Sequence, residues 1–127
     1  MILIIGGACQ GKREYAMKTV GLGENDIPPI QRAEDCMNAE IITDYHLTVK
    51  KLMDESKDPV AFTRQLCREN SSAVITMNEV GCGVIPIDAV ERQWREAVGR
   101  CGCILAENSE RVIRMFCGIP TVIKEKI

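Results

Sequence analysis

The sequence predicts an α/β fold: a mostly parallel sheet flanked by helices in three layers, formed by a single domain over residues 1–127. Short strand-like runs at 2–5, 39–43 and 73–77 are separated by stretches of helical spacing, the alternation that parallel pairing needs. The runs at 2–5 and 73–77 are apolar along most of their length, as in strands covered on both faces. The first leads directly into Gly6-Gly7-Ala8-Cys9-Gln10-Gly11-Lys12-Arg13. A strand, a glycine-bearing turn in the frame G-x-x-x-x-G-K and then a helix make a phosphate-binding loop, so the fold expected is P-loop NTPase-like.

Taken in order, residues 2–5 form the central strand and residues 12–20 the first helix, with Tyr15, Ala16 and Thr19 or Val20 toward the core. Gly21-Leu22-Gly23 ends that helix, glycine being the usual residue past a helix terminus. Residues 24–30 carry Asn25-Asp26 and Pro28-Pro29 and are expected as loop, with a short helix at 31–38. A second strand at 39–43 closes on Asp44-Tyr45-His46, and helical spacing returns over 47–55. Asp58 and Pro59 suit a cap and a first helical position, followed by the stripe Val60, Phe62 or Thr63, Leu66 and Cys67.

After the strand at 73–77 comes a glycine-bearing loop, 78–86. Asp88 and Glu91 resemble a capping box opening the longest helix, whose apolar face runs Val90, Trp94, Ala97 or Val98, Cys101 and Leu105. Arg92, Arg95, Glu96 and Arg100 fall on its outer face, and Gly102 weakens it by about 1 kcal/mol relative to alanine. Residues 111–117 are a strand, Gly118-Ile119-Pro120 a turn, and 121–124 a last short strand, with frayed residues after it.

Composition narrows the function classes. Apolar residues at 46%, charged residues at 27% and a net charge of −2 describe a globular chain without the basic face that a nucleic-acid backbone attracts. With only five aromatic residues, Ile, Val, Leu, Met and Cys must fill the core. No apolar stretch approaches the ~20 residues of a membrane span. The first residues lack the charge pattern of a signal peptide, so a cytoplasmic protein is expected. Seven scattered cysteines with no C-x-x-C pair are expected as reduced, apolar side chains.

The chemistry centres on the loop. Backbone N–H groups of Gly6, Gly7, Ala8, Cys9, Gln10 and Gly11 would face a phosphate, the next helix adds its positive end, and Lys12 reaches the outer phosphates. Arg13 stands where a Ser or Thr would supply magnesium with a hydroxyl. Its guanidinium either offsets phosphate charge or faces solvent. Asp44 and Glu79 each follow a strand at the edge where parallel sheets place their ligands. Either could hold Mg2+, Asp44 alternatively capping the next helix and Glu79 tying down its loop.

Three signatures resemble one enzyme family. AVITMNEVGCGVIP at 73–86, Gly99-Arg100 in the long helix and CGIPTVIK at 117–124 are similar to the adenosylcobinamide kinase/adenosylcobinamide-phosphate guanylyltransferase family of cobalamin biosynthesis. The loop at 6–13 and the strand ending Asp44-Tyr45-His46-Leu47-Thr48 follow the same order. The resemblance implies GTP or ATP as nucleotide, a corrinoid (cobinamide-like) partner, and a homo-oligomer, a trimer in characterised relatives. It implies catalytic roles for Lys12 and Glu79 and nucleotide contacts from Asn78, Gly81 and Arg100. It implies kinase-type phosphoryl transfer followed by guanylyl transfer through a nucleophilic histidine. The segment that holds that histidine is missing, because residues 21–38 are too few, and His46 is expected to be structural. The alternative is a non-catalytic nucleotide- or corrinoid-binding protein, or, further off, a purely structural oligomer subunit.

Overall fold

The computed structural model describes residues 1–80 and 88–126. The chain runs β1 (Ile2–Gly6), α1 (Lys12–Val20), β2 (Ile41–Ile42), α2 (Tyr45–Asp54), α3 (Pro59–Glu69), β3 (Val74–Asn78), α4 (Ala89–Asn108), β4 (Arg111–Phe116) and β5 (Ile119–Glu125). The five strands form one sheet in the order β2-β3-β1-β4-β5. β1 is central and parallel to both neighbours, Gly6 standing level with Asn78 and Met115, and only β5 is antiparallel. The strand ends beside Gly6 therefore share one edge of the sheet.

The continuous apolar run of β1 is explained by its two covered faces. Leu3 joins Ile75, Met77 and Val112 beneath α2, α3 and α4, whereas Ile4 joins Val74, Ile113 and Met115 beneath α1. That is the three-layer α/β arrangement expected. Buried Cys36 and Cys101 serve as small apolar side chains, and burial pushes the Cys36 thiol up to about 11. No described helix is long and apolar enough to cross a membrane.

Several boundaries differ from expectation. The second strand shrinks to Ile41–Ile42, because the side-chain amide of Asn70 takes the carbonyls of Cys36 and Ala39 before the ladder begins. The helix after it starts at Tyr45 rather than 47, its phenol buried against Thr63 Oγ1 at 2.7 Å. The segments at 24–30 and 31–38 contain 3₁₀ turns, Glu24–Asp26 and Ala33–Asn38. Asp88 caps α4 through the Val90 N–H, which leaves the Val90 side chain exposed instead of in the core. An added Cβ at Gly102 would meet the terminal methyl of Met77 at 2.9 Å, a flexible side-chain end that can move aside.

The last turn also moves. Cys117 and Gly118, with φ of 51° and 76°, form the two-residue connection, both in the region a tight hairpin of this twist needs. Ile119 and Pro120 then belong to β5, where proline is allowed because the strand is an edge. The end does not fray at once, since Lys126 N donates to Glu110 O at 2.7 Å.

Candidate functional site

The loop leaves β1 where connections diverge to either side, the crevice in which open α/β sheets bind ligands. Gly6 fits because the backbone of β4 is so close: a Cβ there would lie 2.6 Å from the Met115 carbonyl oxygen. Gly7, Ala8, Cys9 and Gln10 carry the turn, Cys9 and Gly11 having positive φ, and Gly11 precedes the first residue of α1. Gln10 is also a clamp. Its Oε1 accepts from Cys117 N, and its carbonyl accepts from Gly118 N at 3.1 Å, tying the loop to the β4–β5 hairpin.

Lys12 opens α1 yet is only 6% exposed, and its ammonium donates to the Gly7 carbonyl across the loop. Burial lowers its pKa, while Asp44, Cys9 and Glu79 act the other way. Ala8, Cys9, Gly11, Lys12, Arg13, Asp44, Thr76 and Asn78 line a cavity of about 230 Å³ over the loop. This gathers a lysine, an arginine and a helix N-terminus around one small space, a setting suited to phosphate.

Arg13 forms an ion pair with Glu24 at 3.0 Å, so its half-exposed guanidinium is tethered beside the loop. Asp44 sits at the N-cap position of α2 with φ of 55°, but its side chain makes no capping bond. Its N–H donates to Thr76 Oγ1 at 3.0 Å, which joins α2 to β3. Capping therefore does not explain the carboxylate, which borders the loop cavity.

Glu79 is placed differently. Its N–H donates to the Gly6 carbonyl, and its carboxylate takes a two-pronged contact from Arg114 of β4, at 2.9 and 3.2 Å. The charge of Glu79 reaches Lys12, yet its side chain does not line the loop cavity. Arg114 was not singled out by sequence reasoning. Its one visible signal is a charge in the middle of an apolar strand, at the register position opposite Ile5.

Asn78 stands at the end of β3, and its N–H donates to Nδ1 of buried His46 at 3.1 Å. Burial lowers the His46 pKa, with the Asp44 charge opposing and the Lys12 charge reinforcing that shift. The ring is thus a neutral acceptor fixing the strand end, the structural role expected of it. Arg100 is not brought to the loop. It pairs with Glu96 at 2.7 Å and borders a separate hollow between α3 and α4. Gly81, with the rest of 81–87, lies outside the described residues.

Among the described residues no group of three or more His, Cys, Asp or Glu is placed to hold a metal. Magnesium at phosphates needs less, one or two carboxylates completed by water and phosphate oxygens. Asp44 fits that description. Glu79 fits it less well, since Arg114 holds its carboxylate.

A family model described as cobinamide kinase / cobinamide phosphate guanyltransferase matches residues 31–123, close to three quarters of the chain. The match covers Asp44, Asn78, Glu79 and Arg100 but begins beyond the glycine loop. No curated protein matches the chain.

Proposed function

Because the chain belongs to the cobinamide kinase / cobinamide phosphate guanyltransferase family, we propose that it binds GTP or ATP at residues 6–13 and phosphorylates a cobinamide-like alcohol. The observation carrying this is the enclosure of Lys12, Arg13 and Asp44 around the cavity at the first turn of α1. Lys12 would exchange the Gly7 carbonyl for the outer phosphates. Arg13 would supply positive charge where a hydroxyl is missing, and Asp44 would hold Mg2+ through water. That ion would offset phosphate charge and hold the outer phosphates in line.

In the transfer the acceptor oxygen bonds to the γ-phosphorus as the bond to the bridging oxygen breaks. The nucleoside diphosphate departs with the electron pair, and the hydroxyl proton is released to water. Placement and charge supply most of the catalysis in such a step. Asn78 supports the site by holding the end of β3 against His46, and Glu79 acts at one remove, through its field on Lys12. The one histidine is buried with Nδ1 engaged by Asn78, so it is poorly placed to carry a guanylyl group. The exposed apolar side chains of the hairpin support self-association.

A second reading, binding without turnover, is favoured by one observation: the Arg13–Glu24 pair, which engages the guanidinium that would otherwise be available to the phosphates. Calorimetric titration of GTP and ATP, with and without magnesium, followed by phosphoryl transfer to cobinamide, separates the two. We expect binding strengthened by magnesium, turnover, and an affinity lower by about 100-fold in Lys12→Ala, as for a charge-assisted contact of about 3 kcal/mol. Magnesium-independent binding with no turnover would leave the second reading. If neither nucleotide binds the wild type, both fall.

A further inference from the structure

Beside the loop cavity lies a larger one, of about 400 Å³, between the segment at 27–33 and α2. Arg13 and Asp44 border both spaces, so the two adjoin across that pair of side chains. The larger cleft is amphiphilic. Pro28, Pro29 and Leu47 present apolar surface, while Thr43, Thr48 and Lys51 add polar groups. Leu47 is 53% exposed although it sits on the first turn of a helix in which Tyr45, Val49 and Leu52 are buried. A cleft of this size and mixture holds a small organic group rather than a bare phosphate.

We infer that this cleft is the acceptor site, taking the hydroxyl-bearing side arm of a molecule whose bulk stays outside. The inference rests on the phosphoryl-transfer reading above and adds the location and character of the second substrate. A corrinoid macrocycle outsizes a 400 Å³ cavity, but its flexible arm does not. The arm enters between Pro28 and Leu47 and brings its hydroxyl to the boundary that Arg13 and Asp44 form with the phosphate cradle. Exposed Leu47 then meets the apolar flank of the part left outside. Glu24 pairs with Arg13 at 3.0 Å beside the boundary between the two spaces. Arg13 is thereby a positioning residue for the acceptor as well as a cation for the phosphates.

The test uses full-length protein and two probes, cobinamide followed by equilibrium dialysis and a non-hydrolysable nucleotide followed by calorimetry. The variant is Pro28→Asn combined with Leu47→Asn, one change on each wall, both at exposed positions where folding tolerates polar side chains. Cobinamide affinity should fall about tenfold or more, since apolar contact is lost on both sides, with nucleotide affinity unchanged. Lys12→Ala should do the reverse. The double variant binding cobinamide as tightly as the wild type, or a wild type that takes none, would overturn the inference. Failure of the phosphoryl-transfer reading looks different: no nucleotide binding in any protein, with cobinamide still lost in the double variant.

Discussion

On the β2 side of the loop the chain closes around a cleft, with α1, the segment at 27–33 and α2 as walls. On the β5 side it leaves apolar side chains in the open: Phe116 is 67% exposed, and Ile119, Val122 and Ile123 follow along the edge strand. Both sides touch the same loop, the first through Arg13 and Asp44, the second through Gln10 and the hairpin turn. A half-open, amphiphilic cleft suits a small molecule, whereas a row of bare apolar groups on an edge strand suits another protein surface. Under the proposed function, the contrast divides substrate handling from self-association between the two sides of one sheet.

The largest effect that would break this contrast is on assembly. Ile119→Lys with Val122→Lys places two charges on the bare edge, and we expect an oligomer to become a 14.1 kDa monomer in sedimentation velocity. A wild type that sediments as a monomer would remove the distinction between the two edges. Nucleotide affinity should hardly change, because neither residue touches the loop cavity.

How much of this was legible in the sequence depends on the range of the forces involved. The ends of α1, the start of α3 with its Asp58 cap, and the strand at β3 were readable because local spacing and capping fix them. The loop was readable for the same reason: its glycines and lysine are contiguous. The short β2 was not, since it is set by Asn70, some thirty residues away, taking the carbonyls that a longer strand would use. The two-pronged Arg114–Glu79 contact and the Gln10 clamp join residues far apart in the chain, and no local pattern announces either. Arg100 shows the converse, a residue singled out by resemblance that pairs with a neighbour one helical turn away. The cleft wall at 27–33 was read as loop running into a short helix, and α2 was read from its spacing, but no local pattern shows that the two face each other across a cleft.

A smaller effect probes the link between the loop and the bare edge. Gln10→Ala removes the acceptor for Cys117 N and leaves the backbone bond from Gly118 N in place. One exposed hydrogen bond contributes about 1 kcal/mol, so urea unfolding should show a loss of that order. Nucleotide affinity should fall only a few-fold, through a loosened loop. An undiminished stability would mean that the hairpin stays docked without the side chain, and the two edges would then be independent.

The smallest effect lies on the cleft side, where His46 joins α2 to the end of β3. Burial, aided by Lys12 and opposed by Asp44, holds its pKa below the usual value. Above the unfolded-chain pKa of about 6.5 the ring is neutral in both states, and its contribution is present in full. As pH falls below that value the unfolded chain takes the proton first, so stability is lost until the lowered folded pKa is reached. Replacement by His46→Gln removes this dependence while the carboxylates common to both proteins titrate alike. The stability difference between wild type and variant should therefore narrow from about pH 7.5 to about pH 5.5, measured by urea unfolding at each. A difference that stays constant would mean that the ring keeps its solution pKa, and that the bond from Asn78 N does not depend on a neutral imidazole. In the expected case acid loosens the cleft side through His46 and leaves the hairpin side, whose clamp is the uncharged Gln10, unaffected.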